Sequence, residues 1–397
     1  MLHKNRLFTP GPTPLLPAAQ TAMAAFTAHH RTADFKALFQ RVLADMKDFI
    51  GTKNDVLVLA SSGTGVMEAS VSNLTSPGDT VLVLTAGKFG ERWTGLAKAF
   101  GCQVEVLNAP YGSTFSLDEV RARMNHQVRA VFVQATESST GARHDIEGIA
   151  RIVREHGGET LLVVDAITGL GTTHLEVDGW GVDFIIGGSQ KALMMPPGLA
   201  YCAVSERAWK AMDKATSPRY YFDLRKERKS AAKGETAYTP ATSLFAALGA
   251  ALDFIRGMGK GDLAKGREEL VNNAELCAEM TRAGAKALGL KLYASSPAAA
   301  LTAICSPDGI DSGKLVKDFR ENFDAVVANG QGEMKGQMIR IAHIGYYDYL
   351  DTIGILGALE HVLGRVTDRE VEYGTAVRAA QQVYAKAWAG RRQLVSA

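Results

Sequence analysis

The sequence predicts an α/β protein: a large domain with a mainly parallel seven-stranded sheet, followed by a smaller α/β C-terminal domain. Its 397 residues are 46% hydrophobic, which is enough to bury a large core. Helical stretches fill most gaps between short β-like runs, and this alternation is typical of parallel sheets that are covered on both faces. The β-like runs occupy residues 56–59, 80–84, 103–107, 128–133, 161–164, 184–186 and 200–204.

The remaining elements follow from composition and from the spacing of apolar residues. A proline-rich arm precedes an amphipathic helix at 35–50, where apolar side chains recur at helical spacing. Helices are also predicted at 116–124 and 146–156, and residues 241–289 are predicted to be helical. The C-terminal part contains predicted strands at 291–293, 301–305 and 338–341 and helices at 311–322 and 349–363. The predicted domains are an arm at 1–15, a large domain at 16–260 and a small domain at 261–397.

Charge and cysteine content exclude several functional classes. Forty-four basic and forty-two acidic residues give a formal charge of +2, so nothing favours binding to nucleic acid or to a membrane surface. The four cysteines are widely spaced and no C-x-x-C pair occurs, so no zinc site, iron–sulfur cluster or other metal site is expected. The sequence shows no signal peptide and no apolar run of about 18 residues. These observations predict a cytoplasmic protein with reduced thiols.

Lys191 and Asp165 are the first candidate site residues. Lys191 lies between the strand-like run at 182–186 and the segment 194–198, where two prolines forbid a helix and fix the loop. Asp165 ends the apolar run at 161–164. An isolated pair of this kind is usually a surface lysine and a strand-end aspartate. A held amine beside a carboxylate on a neighbouring strand is, however, what pyridoxal phosphate requires, and this chemistry predicts an aminotransferase.

Ser62, Gly63 and Thr64 follow the run at 56–59 and open a helical stretch. Small residues at a helix N-terminus expose backbone N–H groups that favour a phosphate, although a simple capping turn has the same composition. A dinucleotide-binding fingerprint would need glycine at position 68, where Glu68 stands, so a Rossmann cofactor is disfavoured.

Three further features lie where ligands bind in such folds. Phe89 follows the run at 80–84 between glycines, where its ring can stack on a flat ligand or pack in the core. The hydroxyl cluster at 136–141 follows the run at 128–133 and is also ordinary turn chemistry. Arg340 can form a bidentate pair with a substrate carboxylate or a plain surface salt bridge.

The order and spacing of these motifs resemble the class V, fold-type I aminotransferases, and within them the alanine/serine–glyoxylate aminotransferase group. The resemblance covers nearly the whole chain. It rests on segments 9–12, 62–64, 137–141, 188–193, 196–198, 238–240 and 339–341, together with Asp165 and Gly345.

The resemblance implies pyridoxal 5′-phosphate as cofactor and a role for each matching residue. Lys191 would be the Schiff-base partner and then the base that moves the α-proton, with a pKa lowered by cationic surroundings. Asp165 would hold the proton of the ring nitrogen, and its own pKa would shift downward beside that cation. The other implied cofactor contacts are Ser62, Gly63, Thr64, Phe89, Ser138, Ile167 and Gln190, with Tyr238 and Thr239 reaching the neighbouring subunit of a homodimer. Arg340, Pro10, Gly11 and Arg31 would bind the substrate. Ping-pong transfer from alanine or serine to glyoxylate or pyruvate is expected.

Other functions within and outside this chemistry stay open. A cysteine desulfurase would need a loop cysteine and usually a histidine before the lysine, whereas Gln190 stands there and Cys305 lies in an apolar strand-like run. Phosphoserine, phosphonate and aspartate–glyoxylate aminotransferases are possible relatives. A non-catalytic subunit of a hydrogenase-type complex is the alternative from a different class.

Overall fold

The computed structural model describes residues 4–26, 28–156, 158–367 and 369–395, with side chains as far as residue 389. Its strands are β1 (Arg6–Phe8), β2 (Asp55–Ser61), β3 (Thr80–Thr85), β4 (Gln103–Asn108), β5 (Val128–Gln134), β6 (Thr136–Glu137), β7 (Ala142–Arg143), β8 (Leu161–Asp165), β9 (Phe184–Gly188), β10 (Gly198–Val204), β11 (Leu301–Cys305), β12 (Ala325–Asn329) and β13 (Met338–Ala342).

The α-helices lie between and after these strands. They are α1 (Pro17–Ala25), α2 (Ala33–Ile50), α3 (Gly63–Leu74), α4 (Lys88–Ala99), α5 (Leu117–Arg123), α6 (Ile146–His156), α7 (Glu206–Lys214), α8 (Leu224–Ala231), α9 (Thr242–Met258), α10 (Leu263–Ala287), α11 (Ser312–Phe323), α12 (Tyr349–Thr367) and α13 (Thr375–Val395). None of the described helices combines the length and apolarity needed to cross a lipid bilayer.

A seven-stranded sheet with the order β2-β10-β9-β8-β5-β3-β4 organises the first two thirds of the described chain. Only β10 runs against its neighbours in this sheet, and the other strands are parallel to one another. The predicted mainly parallel sheet is therefore confirmed, and all seven predicted strands are present with slightly longer bounds.

Strand β8 shows why a continuous apolar run becomes a central strand here. Leu162 and Val164 pack into one core with α2, α6 and α9, whereas Leu161 and Val163 pack into a second core with α3, α4 and α7. All four side chains are buried because helices cover both faces of the sheet. The run therefore ends at the sheet edge, with Asp165 as its last residue.

A second sheet, with the order β1-β12-β13-β11, forms a smaller α/β unit with α10, α11 and α12. The N-terminal strand β1 lies at its edge, parallel to β12, so the arm begins in the small sheet. The predicted α/β character of the C-terminal part is confirmed. The domain boundary at residue 260 stays a prediction.

One sequence prediction is wrong in detail. Residues 291–293 are not a strand, since Leu292 makes only one isolated bridge to Ile304. Residues 241–289 are helical as predicted, apart from a turn between α9 and α10 where Gly261 adopts a φ of 98°. Strands β1 and β12 were not predicted.

Candidate active site

A cavity of about 240 Å³ lies at the carboxyl ends of the parallel strands in the large sheet. Open α/β sheets bind ligands at this edge because the loops that follow the strands converge there. The structure brings together ten of the predicted site residues around the cavity: Gly11, Ser62, Gly63, Thr64, Phe89, Ser138, Asp165, Ile167, Gln190 and Lys191.

Lys191 is held on both its backbone and its side chain. Its Nζ donates a hydrogen bond to the carbonyl of Pro10, and the Thr13 hydroxyl donates to the Gln190 and Lys191 carbonyls at 3.1 and 3.2 Å. A Cβ on Gly11 would lie 2.6 Å from Lys191 Nζ, so the arm approaches the amine closely only because this residue is glycine. The N-terminal arm therefore forms one wall of the cavity, and the substrate-binding role expected of Pro10 and Gly11 stays a prediction.

Burial is the main influence on the pKa values of Asp165 and Lys191, the ionisable pair in the cavity. Burial raises the pKa of Asp165 to about 6, although the Ile167 N–H at 2.9 Å favours the charged form. Burial is also the main cause that lowers the pKa of Lys191 to about 8; Asp165 opposes this shift and Arg340 adds to it. Cationic surroundings were expected to be the cause for Lys191, and they are secondary. The expected downward shift of Asp165 is absent in the chain alone, where its carboxylate lacks a strong cationic partner.

The start of α3 provides one end of the cavity. The N-cap residue Ser62 makes no side-chain cap hydrogen bond, so the first N–H groups of the helix keep their donor capacity. A Cβ on Gly63 would lie only 2.3 Å from Ile167 Cδ1, which explains the glycine. Gln190 and Thr136 line the same cavity, and Gln190 Oε1 and Thr136 Oγ1 are buried without a hydrogen-bond partner in the described structure. Free backbone N–H donors at a helix N-terminus suit the phosphate of pyridoxal phosphate.

Phe89 lies in the first turn of α4 and lines the cavity, and the Arg92 guanidinium carbon is 4.9 Å from its ring centroid. Arg92 Nη1 also donates to Thr64 Oγ1 at 2.9 Å, which joins the starts of α4 and α3. The Ser138 hydroxyl lies 2.7 Å from that of Thr168. A flat ring between Phe89, Ser138 and Asp165 is compatible with this arrangement.

Arg340 lies on β13 in the small sheet, and its side chain is buried. Its Nη1 donates to the Ser138 carbonyl at 2.7 Å, while Nε and Nη2 donate to the Asn329 carbonyl at 3.1 and 2.6 Å. Burial lowers its pKa to about 10, which leaves the guanidinium charged at neutral pH. These bonds hold a cation behind Ser138 on the side of the site that contains Lys191.

Five predicted residues do not line the cavity: Pro10 and Arg340, whose contacts with Lys191 and Ser138 are described above, and Arg31, Tyr238 and Thr239. Arg31 is exposed, with Nη1 3.8 Å from Glu235 Oε2. Tyr238 and Thr239 line a separate small cavity, and the Tyr238 hydroxyl donates to the Tyr220 carbonyl at 2.8 Å. Their expected role is in a neighbouring subunit, so their positions here leave that role a prediction.

Sequence reasoning assigned no role to Arg92, Thr136, Thr168 and Glu137. Arg92 follows Phe89 by one helical turn, and this spacing was the available signal for its place at the site. Glu137 was noted only as part of segment 137–141, one of the segments that carry the family resemblance. A glutamate directly after a buried strand needs buried hydrogen-bond donors, and this need was the available signal.

Comparisons with known proteins agree with this geometry. The family model described as “Aminotransferase class-V” matches residues 9–301. The chain is 38% identical to a Synechococcus sp. protein named “Soluble hydrogenase, small subunit”, over 98% of this chain and 100% of that protein. It is 31% identical to a serine–glyoxylate aminotransferase of Methylorubrum extorquens, over 90% of each chain.

Among solved structures, an alanine–glyoxylate aminotransferase from Nostoc sp. matches with a TM-score of 0.85 and 29% identity. The match covers 91% of this chain and 96% of that one. Fold, cavity and family model lead to the same assignment. The chain belongs to the class V aminotransferases, the fold-type I family of transaminases whose cofactor is pyridoxal phosphate.

Proposed function

We propose that this transaminase moves the amino group of a small L-amino acid, alanine or serine, to glyoxylate or pyruvate. The observation that carries the proposal is the cavity of about 240 Å³ that contains Lys191 and Asp165, with the buried cation of Arg340 bonded to its lining residue Ser138. Because the cofactor and the substrate would share this volume, the cavity suits two- and three-carbon acids better than long ones. The names of the Methylorubrum and Nostoc proteins support the same substrates.

Arg340 would bind the α-carboxylate that every such substrate carries. A guanidinium has five N–H donors, and the Ser138 and Asn329 carbonyls use one on each nitrogen. One N–H remains on each terminal nitrogen, which is the pair that a carboxylate accepts in a bidentate contact. Because two backbone carbonyls fix the guanidinium, this contact would orient the substrate as well as attract it.

Lys191 and Asp165 would handle the protons. Pyridoxal phosphate supplies an electron-withdrawing ring that stabilises negative charge on the substrate α-carbon. With a pKa of about 8, Lys191 has a substantial neutral fraction at physiological pH and can take up the α-proton. Asp165 would hold a proton on the ring nitrogen, and that cation would in turn favour its ionised form. Phe89, Ser138 and Ile167 would fix the plane of the ring. The phosphate would be held by Ser62, Gly63, Thr64 and Gln190.

A homodimer is part of the proposal, because Tyr238 and Thr239 would complete the phosphate site of the partner. Their neighbourhood is suited to an interface: Tyr220 and Tyr221 are 75% and 47% exposed, and the Tyr221 ring stacks on that of Tyr238. Mixed dimers of Lys191→Ala and Tyr238→Ala chains would contain one intact site, so mixing two inactive variants should restore activity. Unchanged inactivity would contradict the shared site.

We also propose a cytoplasmic location, in line with the four free cysteines.

A role as a subunit of a hydrogenase-type complex is the second candidate, because a Synechococcus relative carries that name. The two candidates differ in one property of the isolated chain. A transaminase retains pyridoxal phosphate on Lys191 and converts it with an amino acid, whereas a non-catalytic subunit does neither.

Single half-reactions test the proposal directly. The purified, cofactor-loaded protein is mixed with alanine, serine or aspartate alone, and the absorbance of the bound cofactor is followed. We expect alanine or serine to convert the cofactor to its amine form, and glyoxylate or pyruvate then to restore the starting spectrum. Lys191→Ala is the negative control. No conversion by alanine or serine would contradict the substrate proposal, and failure to bind the cofactor would favour the non-catalytic subunit.

A further inference from the structure

Glu137 is a buried carboxylate that the proposed chemistry leaves without a task. It ends β6, directly after the central strand β5, and its exposed fraction is 0%. It does not line the cavity, but its neighbours Thr136 and Ser138 do. A carboxylate removed from water must be held by donors, so its partners show what it does.

Four donors surround the Glu137 carboxylate. Ser139 contributes its backbone N–H at 3.0 Å and its hydroxyl at 2.6 Å to Oε1. The backbone N–H groups of Phe89 and Gly90 donate to Oε2 at 3.2 and 3.0 Å. Burial raises the pKa of Glu137, and these bonds oppose that shift. Because every group that faces the carboxylate is a donor, the contacts suit its ionised form.

Two of these donors, on Phe89 and Gly90, are the second and third N–H groups of helix α4; the first, on Lys88, donates to Ser139 Oγ at 3.0 Å. The N-cap residue of this helix is Gly87, which has no side chain that could cap it. Glu137 performs this task from a different strand, where its negative charge also meets the positive end of the helix. A Cβ on Gly87 would lie 2.5 Å from Glu137 Cδ, so the carboxylate reaches the helix because position 87 is glycine.

We propose that Glu137 is a positioning residue that fixes the start of α4 and thereby holds the Phe89 ring against the cofactor ring. Phe89 both donates to this carboxylate and lines the cavity, so a single hydrogen bond joins the carboxylate to the residue that carries the stacking ring. The inference rests on the proposed stacking role of Phe89. It gives a function to the glutamate that precedes the hydroxyl cluster.

A double-mutant cycle on cofactor affinity tests this. The apparent dissociation constant of pyridoxal phosphate is measured by titration of cofactor-free protein for the wild type, Glu137→Gln, Phe89→Ala and the double variant. Glutamine preserves the size, but its NH₂ group would face N–H donors, so we expect the constant to rise about tenfold. In the Phe89→Ala background, Glu137→Gln should alter the dissociation constant by no more than about twofold, because the ring that Glu137 would position is absent.

Glu91→Gln is the matched control, since Glu91 is an exposed carboxylate on the same helix that accepts from Lys88. It should leave the constant within about twofold of the wild type. If Glu137→Gln does not fold, Gly87→Ala disturbs the same contact from the other side and should show the same dependence on Phe89.

The outcomes separate this inference from the proposed function. An equal effect of Glu137→Gln in both backgrounds would show that it acts through the general fold, and would overturn the inference. The inference would also be overturned if Glu137→Gln left the dissociation constant of the cofactor unchanged while Phe89→Ala raised it. If Phe89→Ala itself has no effect, the stacking role is wrong and the inference falls with it.

Discussion

Replacing Lys191 by methionine should stabilise the cofactor-free protein near neutral pH, because the folded wild type must hold a buried ammonium group. Burial lowers the pKa of this group from 10.5 to about 8. The difference between the two values corresponds to roughly 3 kcal/mol of unfolding free energy. Methionine has a similar length and no charge. Since the change also removes the hydrogen bond to the Pro10 carbonyl, we expect a net gain of about 2 kcal/mol at pH 7.

The sign of the pH dependence follows from the same pKa values. Between pH 8 and 10.5 the unfolded state binds the proton of Lys191 more readily than the folded state does. The free energy of unfolding of the wild type should therefore rise with pH across this window. Below pH 8 the wild type carries the full destabilisation from its buried ammonium group. Lys191→Met should lack that rise, so the two proteins should converge towards pH 10.5.

Urea unfolding of the cofactor-free proteins, followed by circular dichroism from pH 7 to 10.5, measures both effects. Lys88→Met is the control: this lysine is partly exposed and pairs with Glu91, so its loss should leave the stability nearly unchanged. If Lys191→Met shows the same pH profile as the wild type, burial does not penalise the ammonium group and the reasoning is wrong.

Three substitutions test other parts of the site. Arg340→Lys should raise KM for every amino acid at least about tenfold, because one ammonium cannot replace a planar pair of hydrogen-bond donors. Steady-state rates with several amino acids measure this effect. An unchanged KM would contradict the role of Arg340 in binding the substrate carboxylate. Asp165→Asn should lower turnover by about a hundredfold or more and speed cofactor loss on dialysis, since an amide cannot balance a cationic ring; wild-type turnover would contradict this. Gly63→Ala places a Cβ 2.3 Å from Ile167 Cδ1, so cofactor affinity should fall roughly tenfold. Gly95→Ala, where nothing lies within 4 Å of the new Cβ, should bind the cofactor as the wild type does.

The large sheet could be predicted because its strands carry a strong local signal. The run at 161–164 is apolar at every position, as expected for a strand that is buried on both faces, and the polar Asp165 marks its end. The ends of such strands meet at one edge, so Asp165, Ser138 and Lys191 could be placed together from sequence. Their chemistry followed from residue type and from the family resemblance.

The rest depends on contacts between distant parts of the chain. Strand β1 has three residues and forms only by pairing with β12, more than 300 positions later, so its own sequence predicts little. Two of the four donors to Glu137 lie on a helix that precedes it by nearly 50 positions. The three residues at 291–293 have strand-like composition, but no neighbouring strand pairs with them continuously.

The N-terminal arm has a mechanical consequence. Its strand β1 belongs to the small sheet, and five residues after Phe8 the hydroxyl of Thr13 is bonded to the lysine loop of the large sheet. The five Cα–Cα steps from Phe8 to Thr13 extend to at most about 18 Å. The arm is therefore a short tether between the two halves of the molecule. A hinge motion that separates Arg340 from the cofactor would stretch the arm. Because Lys191 Nζ donates a hydrogen bond to the Pro10 carbonyl, this motion would also displace the amine of Lys191.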